Sequence, residues 1–302
     1  MVSPSQKRRA ARFFFLARRC SLSLVCCAFS LAKSSYYYTP KFSLFESELI
    51  KSLRFLCRRF PRYGYRRMTV MLRSEGWRVN RKRIQRLMRL DGLKITVKPK
   101  KRKRLGVSTS ERQRAVRAGH VWSWDFVFDR TEDGRQLKIL GILDEYTREC
   151  LCLKAARYFR GVDVISEISA LIEERCVPEH VRSDNGPEFI ATAVKNWVES
   201  RRVGAIYINP GSPWENAYIE SFFSRFRDEC LERELFGSLQ EARVVIEDWR
   251  KEYNELRPHS ALGYAPPSVF STHPNAPITQ PVPRADAGFS APSGVECLKE
   301  IN

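Results

Sequence analysis

Acidic residues are nearly missing from the front of this chain. Residues 1–120 hold 5 Asp and Glu against 32 Lys and Arg, whereas the remaining 182 residues hold 29 against 21. All of the net charge of +19, and more, therefore sits in the front part. Charge scattered evenly over a soluble surface does not produce that asymmetry. It implies a front that binds a polyanion and a back that gathers carboxylates. Histidine is scarce as well, at 4 residues, and the 9 cysteines form no Cys-x-x-Cys pair. Zinc-finger spacing is thereby excluded, and an odd set of thiols fits a reduced, cytosolic chain. Long apolar runs are absent too. The twelve residues 21–32, preceded by Lys7, Arg8, Arg9 and Arg12, imitate the basic and apolar regions of a signal peptide. Twelve residues are too few to span a bilayer, so no membrane association is expected.

What is present begins with helix signals. Residues 1–40 read as a short helical piece with a polar break and no defined fold. Apolar residues at 45, 49, 53 and 56 have helical spacing and predict a helix over 45–60. A second helix is predicted over about 65–75, stopping at Gly76, and a third from an Asn80 cap to Gly92. In the third, Ile84, Leu87 and Met88 form the buried stripe, and Arg81, Lys82, Arg83, Arg86 and Arg89 crowd the other faces. A helix, a Gly-Trp-Arg-Val turn and a basic helix have the form of a helix-turn-helix, which assigns 41–95 to DNA binding. A small bundle with a solvated basic face is the plainer account, but a single acid among five bases favours DNA. Residues 96–118, with Lys101, Arg102, Lys103 and Arg104, lack apolar periodicity and read as a linker lying along phosphates.

Beyond the linker the pattern changes. Strands are predicted at 121–128, 137–144 and 149–156, with Asp133-Gly134 turning the first hairpin. A helix over about 162–175, a strand ending at Ser183, a helix near 188–200 and a strand at 204–208 follow. This order predicts an α/β domain with a mixed sheet over 119–271, and a Pro-, Ala- and Ser-rich tail over 272–302 that is disordered.

Three carboxylates stand out in that domain. Asp125 interrupts the apolar strand Val121-Trp-Ser-Trp-Asp-Phe-Val-Phe, where a charge is costly unless it is paired or binds metal. Asp129, just beyond, is assigned to the turn. Asp184 begins Asp-Asn-Gly, by itself a common turn, but it directly follows a strand, where α/β sheets put functional loops. Glu220 follows Asp184 after thirty-five intervening residues. Ser212-Pro-Trp-Glu reads as a capping box, which gives Glu215 a structural task. It phases a helix with Asn216, Glu220, Phe223, Ser224 and Arg227 on one stripe and Ile219, Phe222 and Phe226 on the adjacent core stripe. Arg227 could meet a DNA phosphate there. Brought together, the three carboxylates could hold two divalent ions, the apparatus for cutting and joining phosphodiesters.

Several strings carry a family resemblance: Trp122-Ser-Trp-Asp-Phe, Leu143-Asp-Glu-Tyr-Thr-Arg-Glu-Cys, Ser183-Asp-Asn-Gly-Pro-Glu-Phe and Ser212-Pro-Trp-Glu-Asn-Ala-Tyr-Ile-Glu-Ser-Phe. Pro61-Arg-Tyr-Gly-Tyr-Arg-Arg-Met, Arg227-Asp-Glu-Cys-Leu and Tyr253-Asn-Glu-Leu-Arg-Pro-His-Ser-Ala-Leu-Gly complete them. Over about 36–270 the chain resembles DDE transposases and retroviral integrases. More narrowly, it resembles the second-reading-frame (OrfB) transposases of the insertion sequence three family. The resemblance implies an RNase H-like integrase catalytic core, a mixed five-stranded sheet flanked by helices, after a small all-α helix-turn-helix region. It implies a metal-dependent polynucleotidyl transferase of DNA transposition, integration and recombination. Asp125, Asp184 and Glu220 would be its catalytic triad and the ligands of two Mg²⁺ (or Mn²⁺) ions. The implied partners are double-stranded DNA at element ends and target, further copies of the chain on that DNA, and an upstream-frame product as partner or fusion. The implied location is the bacterial cytoplasm at the nucleoid. Residues 1–35 match the family poorly, and a non-catalytic DNA-binding remnant or regulator is the rival reading.

Overall fold

The computed structural model describes residues 4–18, 20–38, 44–93, 95, 114–183, 192–207 and 216–273. The chain divides into two units, Met1–Ser52 and Leu53–Asn302. In the first, α1 (Pro4–Arg18), α2 (Leu22–Ala28) and α3 (Lys33–Tyr37) close around Ala11, Val25, Cys26, Leu31 and Tyr36. The expected single helical piece is thus three helices with a core. Helix α4 (Leu44–Arg59) runs across the boundary between the units.

The second unit begins with the end of α4, then α5 (Tyr65–Ser74) and α6 (Arg81–Leu90). Helix α5 ends where Gly76, at φ +92, lets the Trp77 amide reach back to the Leu72 carbonyl. The Asn80 side chain accepts the Lys82 amide at 2.9 Å and starts α6. Ile84, Leu87 and Met88 are buried as their spacing requires, while Arg81, Lys82, Arg86 and Arg89 are exposed and Arg83 is half-buried. Arg54 on α4 clamps Asp91 with two hydrogen bonds, fixing the end of α6.

The rest of the unit is built on one five-stranded sheet: β1 (Val121–Arg130), β2 (Gln136–Asp144), β3 (Cys150–Ala156), β4 (His180–Ser183) and β5 (Gly204–Tyr207). Its order is β3-β2-β1-β4-β5, antiparallel from β1 to β3 and parallel from β1 through β4 to β5. Gly134, at φ +78, turns the first hairpin as expected, but Asp129 lies within β1 and not in the turn. The strand outlasts the apolar run because Asp129 and Arg130 still pair in register with Leu137 and Gln136 of β2.

Alternation along the strands gives the sheet two apolar faces. Trp122, Trp124, Leu140 and Ile142 pack with α7 (Gly161–Glu174) and α8 (Thr192–Ser200). Val127, Ile139, Leu143 and Leu153 face α9 (Ala217–Phe226) and α10 (Leu239–Glu255). A π-helical turn, Arg227–Leu231, extends α9, and α11 (Pro267–Thr272) closes the described part. The proposed tail lies outside the described residues, apart from Thr272 and His273.

Candidate active site

Strand periodicity places Asp125 on the same face as Val127, the face that α9 covers. Its carboxylate accepts the Phe126 amide at 2.7 Å, and in register it sits opposite Gly141 of β2. Gly141 is there for space. A Cβ at that position would lie 2.6 Å from the ring of Phe223, one turn beyond Glu220 on α9. The missing side chain lets the Glu220 helix lie directly on the sheet beside Asp125. Phe223 is accordingly a core residue, 7% exposed, and belongs with Ile219, Phe222 and Phe226 rather than with the neighbouring stripe to which the helical phase assigns it. Ile219, Phe222 and Phe226 are buried as expected, and Glu220 is exposed.

Glu220 opens onto a cavity of about 1190 Å³. Val127, Phe223, Ser224 and Arg227 line it from the core, and Arg62, Tyr65, Gln85, Met88 and Arg89 line it from the helical region. Arg227 and Arg89, both expected to contact DNA, are therefore on the walls of one cleft with Glu220. Asp184 and the linker residues Lys101, Arg102, Lys103 and Arg104 lie outside the described residues, as does the Ser212–Glu215 capping box. The described start of α9 is Ala217 with Asn216 as N-cap.

Two buried ion pairs hold the frame of this site. Ser123 and Arg182 face each other across the parallel β1–β4 pair, and both bind Glu145. Arg182 meets the two Glu145 oxygens at 2.7 and 2.9 Å. Burial raises the Glu145 carboxyl above its usual range, against the opposing pull of Ser123 and Arg182. Neighbouring Asp144 is a turn residue, accepting the amides of Gly119, Tyr146 and Thr147 at 2.7 to 3.0 Å. The second pair joins Glu229, in the π-helical turn after α9, to Arg257 through two hydrogen bonds of 2.7 Å. Arg67 of α5 adds a third bond to Glu229 at 3.3 Å, tying the helical region to the π-helical turn that extends the Glu220 helix.

Beside that pair, Arg257 Nη1 and His259 Nε2 lie 3.1 Å apart, so this ring nitrogen accepts and carries no proton. Burial first, then the charges of Arg257, Arg67, Arg148 and Arg225, push His259 from 6.5 down to about 2. The unfolded chain takes up a proton that the fold refuses, so stability falls as pH drops below about 6.5. Urea titrations at pH 7 and pH 5 are expected to show a larger loss for wild type than for His259→Gln. Equal losses would remove His259 from the account.

Among the described residues, one group of His, Cys, Asp and Glu has metal-ligand spacing: His120, Glu179 and His180, within 4.8 Å of one another. These residues lie at the starts of β1 and β4, away from Asp125, and two of them, Glu179 and His120, are already engaged. Arg117 holds Glu179 at 2.6 Å, and His120 Nδ1 accepts the Val116 amide at 3.1 Å. Among the described residues no helix is long and apolar enough to cross a membrane.

Comparison with known proteins agrees with this architecture. Residues 45–103 match the HTH-like domain, and residues 115–213 and 201–267 match two descriptions of the integrase core domain. The uncharacterized 31.7 kDa protein of insertion element IS407 from Burkholderia multivorans (strain ATCC 17616 / 249) is 38% identical over 258 residues, covering 85% of this chain and 92% of that protein. The uncharacterized 39.2 kDa protein of insertion element IS476 from Xanthomonas euvesicatoria is 36% identical over 275 residues, covering 90% of this chain and 78% of that protein. The chain belongs to the insertion-sequence transposases of the IS3 second-reading-frame type. Transposase InsF for insertion sequence IS3A of Escherichia coli (strain K12) is a more distant relative, 24% identical over 221 residues, 69% of this chain and 76% of that one.

The transposase acts in DNA transposition and integration, through a helix-turn-helix-like region and an integrase core. Sequence reading missed the residues that hold its site in shape: Gly141, Glu145, Arg182, Glu229 and Arg257. Glu145, Glu229 and Arg257 stand inside the strings that carried the resemblance, and Arg182 immediately precedes one of them. A charged residue at a position that strand or helix phase would bury was the available signal.

Proposed function

We propose that the transposase cuts and joins DNA with Asp125, Asp184 and Glu220 as its catalytic carboxylates. The observation that carries this reading is the apposition of the Glu220 helix to the Asp125 strand over Gly141. Asp184 follows in sequence directly after β4, whose residues 180–182 pair in parallel with residues 121–123 of the strand that carries Asp125, and this supports including it. The donor set is all carboxylate oxygen, which suits Mg²⁺ or Mn²⁺ and not zinc. Two such ions, when bound, would supply an activated water or 3′-hydroxyl and stabilise the leaving oxygen.

The protein's own groups then have separate tasks. Asp125, on β1, and Asp184, next in sequence after β4, would each hold an ion through a carboxylate oxygen. Glu220 closes the set from the helix above. Arg227 and Arg89 on the cleft walls take phosphates flanking the scissile bond, and Arg81, Lys82, Arg83 and Arg86 with Lys101, Arg102, Lys103 and Arg104 hold the duplex further out. Joining two element ends to one target calls for more than one such site, so a homo-oligomer on DNA, with an upstream-frame product as fusion or partner, belongs to the same proposal. So does the division into a DNA-binding region at 41–95, a linker at 96–118 and a core at 119–271.

Purified Asp184→Asn is expected to bind duplex DNA as wild type does and to lose Mg²⁺-dependent joining of a labelled element end by at least a hundred-fold. Joining retained at the wild-type rate would overturn the assignment.

A further inference from the structure

Residues 4–38 lie ahead of the matched HTH-like domain and contain seven Lys and Arg with no Asp or Glu. Their three helices pack against one another in every pairing. The Ser21 hydroxyl accepts the Leu24 amide and caps α2, which ends at Ala28. A four-residue turn, Phe29–Ala32, leads into α3. Within it Ser30 adopts φ +48, the Ser30 amide bonds to the Cys27 carbonyl and the Leu31 amide to the Cys26 carbonyl. These two bonds with a left-handed residue between helix and exit define a tight helix stop that turns the chain sharply. Leu31 then drops into the core beside Val25 and Cys26, and Tyr36 pins α3 onto the same core. Lys33, Ser34 and Tyr37 are left on the exposed side of α3, with Arg9 and Arg12 exposed on α1.

We propose that residues 21–38 are a second helix-turn-helix, distinct from the one at α5–α6, and that it docks α3 against the groove of duplex DNA. The order of elements is the one such motifs use: a supporting helix, a short turn and a second helix, here five residues long, with Tyr36 buried on one side and Lys33, Ser34 and Tyr37 exposed on the other. Lys33 supplies charge for a phosphate or a guanine edge, and Ser34 bonds to either kind of acceptor. The unbroken positive charge is complementary to DNA along the whole segment. Exposed Phe13 and Leu16 do not favour a lipid surface instead. They share a face of α1 with Arg9 and Arg12 at positions 9, 12, 13 and 16, whereas a helix lying in a membrane separates its apolar and basic sides. The inference rests on a DNA-acting chain and not on the three carboxylates, so a failed Asp184→Asn experiment leaves it standing.

The test uses full-length protein, a pool of random duplexes and a Lys33→Glu/Ser34→Ala variant, both of whose changes are at exposed positions. Sequences selected by wild type are expected to contain a block that the variant no longer selects. Fluorescence anisotropy on the wild-type winner should show at least ten-fold weaker binding by the variant and a shallower salt dependence. Lys82→Glu, in α6, should lose a different block. The proposal is overturned if the double variant selects the same sequence with the same affinity. It is equally overturned if Lys33 governs retention on anionic phospholipid vesicles while duplex binding stays unchanged.

Discussion

Glu229→Ala is expected to lower the unfolding free energy of the transposase by about 3–5 kcal/mol, measured by urea denaturation at pH 7. The change strips Arg257 of its partner while its side chain stays 3% exposed, and an unpaired buried guanidinium is among the costliest defects a core can hold. Arg67, with 22% of its side chain exposed, can turn part of its charge to water and adds less to the loss. The sharper test is the pair. Glu229→Leu/Arg257→Leu removes both charges from the same buried space and should recover much of the stability that either single change costs. If the double variant is as unstable as the sum of the singles, the pair is not what holds this junction. Exposed bridges nearby, such as Arg62 with Asp228 at 3.4 Å, should matter by no more than about 1 kcal/mol when removed.

Gly141→Ala should damage joining more than it damages stability. The added methyl must move the Phe223 ring, which its neighbours Ile219, Phe222 and Phe226 hold in the core. Overpacking of this kind costs about 1–3 kcal/mol. The helix that yields is the one carrying Glu220, and if Glu220 acts as proposed, a displacement of about 1 Å there can cost about a hundred-fold in rate. Joining of a labelled end should therefore fall steeply while duplex binding persists. Phe223→Leu, which shortens the obstructing side chain, should restore joining in the Gly141→Ala background. A Gly141→Ala protein that joins ends at the wild-type rate would show that the close approach has no catalytic consequence.

Much of this architecture is legible in the sequence, for identifiable reasons. The three antiparallel strands announce themselves because buried β-runs are dense in Trp, Val, Ile and Leu and are separated by Asp133-Gly134. Helix α6 is readable from both ends, through the Asn80 cap and the Gly92 stop. Helix α10 went unread because charged residues cover most of its surface, although Ser238 and the buried Ala242, Ile246 and Tyr253 mark its start and its inner face. The front unit hid for the opposite reason. Phe13, Leu16 and Leu24 are exposed, so apolar residues fall on every face and mask the five that form the core. A serine, where glycine is usual, takes its left-handed turn. The Glu145–Arg182 and Glu229–Arg257 pairs join residues 37 and 28 positions apart, and local periodicity does not reach that far. Glu220 is exposed at the edge of α9, where a helical phase puts it, whereas Phe223 is buried with the core stripe because both sides of α9 near the sheet are buried.

The sheet order has a consequence in time. Asp125 belongs to the second strand pair's common member, β1, whose parallel neighbour β4 is laid down only after β2, β3 and α7 have been made. Glu220 comes later still, on a helix that needs the finished β1–β2 surface to lie on. Pairings across such long stretches of chain form slowly. As the polypeptide is synthesised, its basic front emerges long before Glu220. A freshly made molecule thus passes through a period in which it displays its positive charge before Glu220 has been set over β1.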